Sequence, residues 1–312
     1  MEIRFNTPYE VGEANVFLLE LDNRLLLVDA AADTDECWRD FQDALAAEGY
    51  SVGDLAAILL THSHPDHVGL VNRIAERRDI PVYAHPDAVP RLTRDPDFLS
   101  MRVEFYARLY REMGCGEAGE RQVDKLRAAL SGNDGLRIRA DITAVRESDR
   151  AEGTVVLEVP GHAPDHLAFW LPGSRTMFAG DHLLSRISSN AFVEPDRDGR
   201  RLPSLSNYVR SMEKCLPLRP ARVYAGHGDA IDDAAALIEH RIGRIRKKAE
   251  SVRGLILGGK STAAEIAQAF YGDKYGTLFG PVMSEIIGLL DFMEAEGQIR
   301  SRYADGIVTY TA

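Results

Sequence analysis

A short histidine-rich stretch constrains this chain more than any other feature. Residues 61–69 read THSHPDHVG and directly follow the apolar run AAILL at 56–60. The apolar run predicts a buried β-strand, and the loop after it would bring several metal-binding side chains into one small volume. These side chains are His62, His64, Asp66 and His67. Imidazole and carboxylate together suit zinc, and also iron or manganese.

Three further residues of the same chemical type follow later apolar runs. His162 comes after the β-rich run 154–159, Asp181 ends TMFAGD, and His227 ends ARVYAGH. Glycines stand beside each of them and allow sharp turns and close backbone approach. Three polar residues in this setting indicate that the ligand set extends beyond the first loop.

The ordered set HSHPDH, GH, GD and GHG resembles the metallo-β-lactamase superfamily, and within it the glyoxalase-II and lactamase-beta-like hydrolase branch. The resemblance covers the whole chain. Asp181 stands where the lactamases often carry a cysteine, and a carboxylate there is typical of the dinuclear hydrolases. Asp29, in RLLLVDA, matches the superfamily's first motif, an aspartate that braces the metal loop without binding metal.

Carried over position by position, the resemblance implies two divalent metal ions. The ligands it implies are His62, His64 and His162 for the first metal, Asp66, His67 and His227 for the second, and Asp181 as a bridge. Asp66 and Asp181 are also the predicted catalytic residues. Two such cations would lower the pKa of a shared water and polarise a carbonyl or phosphoryl oxygen. Zinc is the expected metal, with iron and manganese as alternatives.

The resemblance implies an α/β fold built as a four-layer αββα sandwich, whereas periodicity alone predicts only a mixed α/β domain. We assign residues 1–234 to this catalytic domain, with a helical insertion at about 88–131. The insertion is aromatic-rich and is predicted either to pack on a sheet as a helical pair or to form a lid over an apolar pocket.

Local signals place several elements of the first domain. Asp22-Asn23 is predicted to join two strands as a hairpin, and helical spacing predicts a helix over 34–49. A further helix is predicted from Val68 to about Arg78, directly after the metal loop.

Residues 235–312 are predicted to form a linker helix and a small winged-helix-like domain, an appendage that the lactamase-beta-like branch also carries. Thr262 and Glu265 fit a capping box, and Asp305-Gly306 is a favoured hairpin turn. A winged helix often binds DNA, but its second helix offers almost no basic face. The stronger expectation is that the domain closes the pocket or builds a homodimer.

Composition indicates where in the cell the protein is expected and which partners it is expected to bind. No apolar run reaches the length of a membrane helix, the N-terminus has no signal-peptide pattern, and three separated cysteines suggest reduced thiols, so we expect a cytoplasmic protein. Residues 235–312 contain ten basic and nine acidic side chains, a net charge of +1. Because the whole chain has a net charge of −11, residues 1–234 carry −12. An acidic catalytic domain disfavours a nucleic-acid partner.

The histidines and acids near the ligand set receive lesser roles. His166 and His182 are expected to hydrogen-bond to ligands, and Asp165 to orient one. His85 and His240 are expected to be structural or solvent-facing.

Four functions follow from these observations. The leading one is a dinuclear hydrolase in which a metal-bound hydroxide attacks a thioester, ester or lactone carbonyl of a small or acyl-chain substrate. The alternative is an endoribonuclease or other phosphodiesterase of the lactamase-beta-like type, which the winged helix favours and charge disfavours. A one-iron oxygen-dependent enzyme and a non-enzymatic binding protein are the remaining readings. The complete ligand set argues against both.

Overall fold

The computed structural model of the chain describes residues 1–130 and 134–312. The strands are β1 (Glu2–Asn6), β2 (Glu13–Leu21), β3 (Arg24–Val28), β4 (Leu55–Leu59), β5 (Val82–Ala84), β6 (Ile142–Ala144), β7 (Arg150–Ala151), β8 (Thr154–Glu158), β9 (Leu167–Leu171), β10 (Thr176–Gly180), β11 (Arg222–Ala225), β12 (Arg300–Ala304) and β13 (Ile307–Thr311). The α-helices are α1 (Asp35–Ala47), α2 (Pro65–Val68), α3 (Val71–Ala75), α4 (Val89–Leu92), α5 (Pro96–Glu112), α6 (Gly116–Leu130), α7 (Ser204–Cys215), α8 (Ala234–Leu257), α9 (Ala263–Tyr271), α10 (Lys274–Thr277) and α11 (Phe279–Ala295).

Two sheets hold eleven of these strands. The first sheet has the order β1-β2-β3-β4-β5-β6, antiparallel up to β3 and parallel from there on. The second has the order β11-β10-β9-β8-β7, with only β10 and β11 parallel. Asp22 and Asn23, both at positive φ (50° and 60°), turn β2 into β3 and confirm the predicted hairpin.

The two sheets share one apolar core. Phe17 and Leu59 of the first sheet pack with Val156 and Phe169 of the second. A separate core covers the other face of the first sheet, where α1 buries Phe41. The predicted helix 34–49 is thereby confirmed as α1, which Thr34 caps by accepting a hydrogen bond from the Cys37 amide. This stacking of helix, sheet and sheet confirms the predicted α/β fold.

The helix predicted from Val68 to Arg78 is wrong in its bounds. The structure has two short helices instead, α2 and α3, and the break falls at Gly69. The amides of Gly69 and Leu70 donate to the backbone oxygens of Ala31 and Ala30, so they are withdrawn from a continuous helix. These tertiary hydrogen bonds fix the metal loop against the chain that follows β3.

The described chain packs as two compact units. The first holds residues 1–95, 134–189 and 211–238, and the second holds 96–130, 190–210 and 239–312. The helices expected over 88–131 are present in the described residues as α4, α5 and α6. Their lid role and the division into domains 1–234 and 235–312 stay predictions.

The C-terminal elements of the second unit follow the predicted order. Thr262 and Glu265 form the capping box of α9, and Asp305 and Gly306, at φ 53° and 81°, form the turn between β12 and β13. The assignment of these helices and this hairpin as a winged helix stays a prediction. None of the helices in the described chain is both long and apolar enough to cross a membrane.

Candidate metal centre

The predicted ligands lie in the segments that directly follow four strands, with Asp66 and His67 in the short helix α2. β8, β10 and β11 run in the same direction, because β9 is antiparallel to both β8 and β10, and β11 is parallel to β10. Their carboxyl ends therefore share one edge of the second sheet, and the loop after β4 comes from the first sheet. The structure brings together all seven predicted ligands, which are His62, His64, Asp66, His67, His162, Asp181 and His227.

Glycine at two turns lets the backbone approach this cluster. The Gly226 amide donates to the Gly180 oxygen at 2.8 Å. A Cβ at Gly226 would lie 2.4 Å from Asp181 Oδ1 and 2.8 Å from His67 Cε1, which is closer than atoms can pack. The glycine beside His227 is therefore a steric requirement of the cluster.

One group of three histidines forms the first part of the cluster. His64 Nδ1 lies 3.0 Å from His62 Nε2 and 3.0 Å from His162 Nε2. The ligand atoms of the three residues all lie within 4.8 Å of one another. Three imidazole nitrogens at these separations can bind one cation.

The second group combines two histidines with one carboxylate. His67 Nε2 and His227 Nε2 are 3.3 Å apart, and Asp66 Oδ2 lies 3.9 Å from the former and 3.5 Å from the latter. Their ligand atoms also lie within 4.8 Å of one another.

Asp181 lies between the two groups. Its Oδ2 is 3.5 Å from His162 Nε2 in the first group and 3.3 Å from His227 Nε2 in the second. Its Oδ1 is 3.5 Å from His67 Nε2 and, although buried, has no hydrogen-bond partner among the described residues. A buried carboxylate oxygen without a donor is costly unless a cation binds it.

The ring tautomers favour a cation in the second group. His67 Nδ1 lies 2.9 Å from Asp29 Oδ2, and His227 Nδ1 lies 2.6 Å from the backbone oxygen of Glu13. A carboxylate and a carbonyl only accept, so both Nδ1 atoms carry a hydrogen. Each Nε2 is thereby left to bind either a proton or a metal ion, and the pairing of His67 with a carboxylate is the kind that orients metal-ligating histidines.

Buried charges give the site an attraction for cations. Burial opposes ionisation of Asp181, but His67 and His227 outweigh it and hold the pKa of this carboxyl well below its usual range. Burial also opposes protonation of His67, yet Asp181 and Asp29 raise its pKa to about 10. Burial, with His67 next to it, keeps the pKa of His62 well below its ordinary value, so this ring is neutral and able to bind a metal.

Asp29 braces the loop as the resemblance implies. Besides His67, it accepts hydrogen bonds from the Thr61 amide and from Thr61 Oγ1, each at 2.8 Å. Asp29 itself has a positive φ of 61°, an uncommon conformation for aspartate that this set of contacts holds.

His166, His85 and His240 follow their expected lesser roles, whereas His182 Nε2 lies 3.7 Å from Cys215 Sγ and its expected bond to a ligand stays a prediction. Both buried carboxylate oxygens of Asp165 lack a hydrogen-bond partner among the described residues, so no hydrogen bond supports its expected orienting role. His166 Nε2 accepts from the Asp181 amide at 3.1 Å, and its ring stacks on His62. His85 is buried, with Nε2 3.1 Å from Glu158 Oε1, and His240 is exposed. Neither His85 nor His240 belongs to the cluster of ligand atoms.

Sequence reasoning missed the side-chain partner of His162. Ser189 Oγ lies 2.8 Å from His162 Nδ1. The only signal in the sequence is that Ser189 follows Asp181 closely in the chain, which does not distinguish it from its neighbour Ser188.

Comparison with known proteins gives one consistent result. The sequence model of the metallo-beta-lactamase superfamily matches residues 9–227. The chain is 33% identical, over 309 residues, to the Bacillus subtilis protein named probable metallo-hydrolase YqjP, and the match covers 99% of this chain and 96% of that protein.

Two further similarities concern a named activity and a solved structure. An atrochrysone carboxyl ACP thioesterase of Aspergillus fumigatus is 23% identical over 308 residues, which are 94% of this chain and 79% of that protein. The crystal structure of the metallo-beta-lactamase family protein TTHA1429 from Thermus thermophilus has a TM-score of 0.80 and 25% identity, and the match covers 100% of this chain and 97% of that one.

Proposed function

The chain belongs to the metallo-beta-lactamase superfamily and is a metal-dependent hydrolase, and from this premise we propose that it binds two divalent metal ions and cleaves a thioester, ester or lactone carbonyl of a small or acyl-chain substrate. The observation that carries the proposal is the position of Asp181, within 3.5 Å of histidine nitrogens of both ligand groups. A carboxylate in that position can bind two cations at once.

The residues of the cluster would hold the two ions in the predicted division. His62, His64 and His162 would bind the first, Asp66, His67 and His227 would bind the second, and Asp181 would bridge them. When bound, two cations would supply an activated water near neutral pH and stabilise negative charge on the substrate oxygen. Asp29 and Ser189 would hold the rings of His67 and His162 in the orientation for binding.

The donor set favours zinc as the resident metal. Five imidazoles and two carboxylates form it, and the three cysteines, Cys37, Cys115 and Cys215, are buried elsewhere as free thiols. Borderline nitrogen and oxygen donors suit zinc, and they also bind iron and manganese. Metal analysis of the purified protein distinguishes these three.

Two observations support a carbonyl substrate. A relative that matches most of this chain carries the name of a thioesterase. Residues 1–234, which hold every predicted ligand, have a net charge of −12 and would repel a polyanionic backbone.

Phosphodiester hydrolysis is the second candidate, and one feature favours it. β12 exposes Arg300, Arg302 and Tyr303, a combination that can contact a phosphate backbone and stack on a base. Single-stranded RNA therefore belongs among the test substrates.

The experiment measures thiol release from a panel of acyl thioesters by the zinc-loaded protein. Asp181→Asn is the test variant, and His240→Ala, which changes an exposed histidine outside the cluster, is the matched control. We expect turnover by the wild type and by the control, and loss of at least about a hundredfold in the Asn variant together with loss of metal. No turnover of any thioester, ester or lactone, with cleavage of RNA instead, would overturn the proposal in favour of the second candidate.

A further inference from the structure

The loop that carries His64 forms one wall of a narrow pocket. Ser63 and Pro65, the neighbours of His64, line it together with Tyr9. The cavity volume is about 90 Å³. Since a water molecule occupies about 30 Å³ of the liquid, the cavity has room for roughly three waters. A pocket of this size next to a candidate metal centre fits a thin chain and excludes a bulky ring system.

The lining of this pocket combines apolar and basic side chains. Val68, Leu92 and Ile138 are buried and apolar, and Arg91 and Arg94, which are only partly buried, line it as well. Such a lining suits a chain of carbon atoms that ends in an anionic group.

A second, more open depression adjoins the pocket and adds two arginines. It shares Ile138 with the pocket, has a volume of about 460 Å³, and is lined by Arg137 and Arg139, both exposed. Four arginines therefore line the two depressions. The charge of this lining contrasts with that of residues 1–234 as a whole, whose net charge is −12.

Asn72 fixes the segment that carries two of these arginines. Its Nδ2 donates to the backbone oxygen of Arg137 at 2.8 Å, and its Oδ1 accepts from the Arg139 amide at 2.9 Å. Asn72 also lines the narrow pocket. A segment whose backbone is already held in place costs less to order when a ligand binds.

Acidic groups that line the two depressions offset only part of this positive charge. Asp33 lines the narrow pocket, but Arg73 Nε lies 2.7 Å from its Oδ1 and neutralises it. Asp141 lines the open depression. In the open depression alone, Arg137 and Arg139 against the one carboxylate of Asp141 leave a net positive lining.

From these contacts we infer that the two depressions bind an anionic group of the substrate, carried on a thin chain that leads from the scissile carbonyl. The inference rests on the proposed function and narrows its substrate class. The anion is either a phosphate on the leaving thiol or a carboxylate at the far end of the acyl group. Arginine recognises both, because its planar fork can bond two oxygens of one anion.

Two matched pairs of thioesters test the inference and separate the two sources of the anion. Acetyl-coenzyme A and S-acetyl-N-acetylcysteamine differ in the phosphates of the leaving thiol. S-succinyl- and S-butyryl-N-acetylcysteamine differ in a carboxylate on the acyl group. We expect the wild type to favour the anionic member of one pair by about tenfold or more in kcat/KM.

The variants are Arg137→Gln with Arg139→Gln, which change exposed side chains, and Arg94→Gln as an independent second change. For the pair in which the wild type prefers the anionic thioester, we compare kcat/KM of the anionic member with that of the neutral member. Each variant is expected to lower this ratio about tenfold, and a higher salt concentration should lower the same ratio in the wild type. Arg150→Gln, an exposed arginine of the second sheet, is the control and should leave the ratio unchanged.

Equal rates within both pairs, or a preference that the arginine variants retain, would overturn the inference while leaving the hydrolase proposal intact. If no thioester is cleaved, the hydrolase proposal fails instead. The pocket is then tested by calorimetric titration with coenzyme A and with succinate. Binding that weakens in the Arg137/Arg139 double variant supports the anion site, and no binding by the wild type refutes it.

Discussion

Ser189 Oγ lies 2.8 Å from Nδ1 of His162, on the opposite side of the imidazole from Nε2, which faces His64 at 3.0 Å. If Nδ1 donates its hydrogen to the serine, the lone pair of Nε2 is left for a metal. The hydroxyl can bond Nδ1 in either direction, and in both cases it fixes the orientation of the ring. Ser189 is a positioning residue, because it acts through His162.

Replacing Ser189 by alanine should weaken metal binding about 10- to 100-fold without unfolding the protein, since partners that orient ligating histidines contribute on that scale. Competition with a chromogenic chelator measures the affinity. Ser188→Ala, a change at the exposed neighbouring serine, is the control. Equal affinities in the two variants would remove the role assigned to Ser189.

Replacing Gly226 by alanine should abolish metal binding by the seven ligands. The added Cβ would lie 2.4 Å from Asp181 Oδ1, and the carboxylate must move to admit it. We expect loss of activity and of metal, with about 1–3 kcal/mol lost from the free energy of unfolding. Metal analysis and urea unfolding check both quantities.

Gly243→Ala provides the matched control for that change. Gly243 lies inside α8, and a Cβ there would meet nothing within 4 Å. Alanine should stabilise the helix by roughly 0.5–1 kcal/mol. A Gly226→Ala protein that keeps its metal would contradict the close packing described for the cluster.

Removing the metal should destabilise the protein, because the buried carboxylates Asp66 and Asp181 then lose the compensating charge of the cations. A free metal concentration of about 100 times Kd stabilises the folded state by about 2.7 kcal/mol for one site. Thermal unfolding in chelator and in zinc measures the difference, and metal analysis should give two ions per chain. A single tightly bound ion would contradict the dinuclear assignment.

Asp291 should make the stability of the second unit depend on pH. Burial raises the pKa of this carboxyl to about 6, and Arg201, 3.0 Å away, offsets burial only in part. In the unfolded chain the pKa of an aspartate is about 3.9, so the unfolded state loses this proton at a lower pH than the folded state does. The free energy of unfolding therefore falls as pH rises from about 4 to about 6. The full effect is about 3 kcal/mol.

Asp291→Asn should abolish that part of the pH dependence. The comparison is between wild type and variant in urea unfolding at pH 4 and pH 7. The exposed Asp305→Asn change, which keeps the chemistry of a hairpin turn, serves as the control. If wild type and Asp291→Asn follow parallel pH profiles, the assignment of this carboxyl is wrong.

The cluster was predictable because its members obey a local rule. Each ligand follows an apolar run that becomes a strand, and the glycines beside Asp181 and His227 mark turns where the backbone comes close. Strand ends that share one edge of a sheet then bring the side chains together. The local pattern does not say which strand ends meet, because the ligands follow strands of two different sheets, and that step came from the resemblance to the superfamily.

The features that sequence reasoning missed all depend on distant contacts. The break at Gly69 arises because its amide bonds to Ala31, and no helical pattern reports such a bond. Ser189 differs from Ser188 only in what it touches. The four arginines come from segments 91–94 and 137–139, and the second of these segments is held by the side chain of Asn72.

The seven ligands come from both layers of the sandwich, with Asp66 and His67 following β4 of the first sheet, and Asp181 and His227 following strands of the second. Bound ions would thus act as cross-links between the sheets. An ion held by ligands from both sheets would resist their separation. Its contribution to stability would therefore extend beyond the site to the packing of one sheet on the other, and removing it should speed global unfolding.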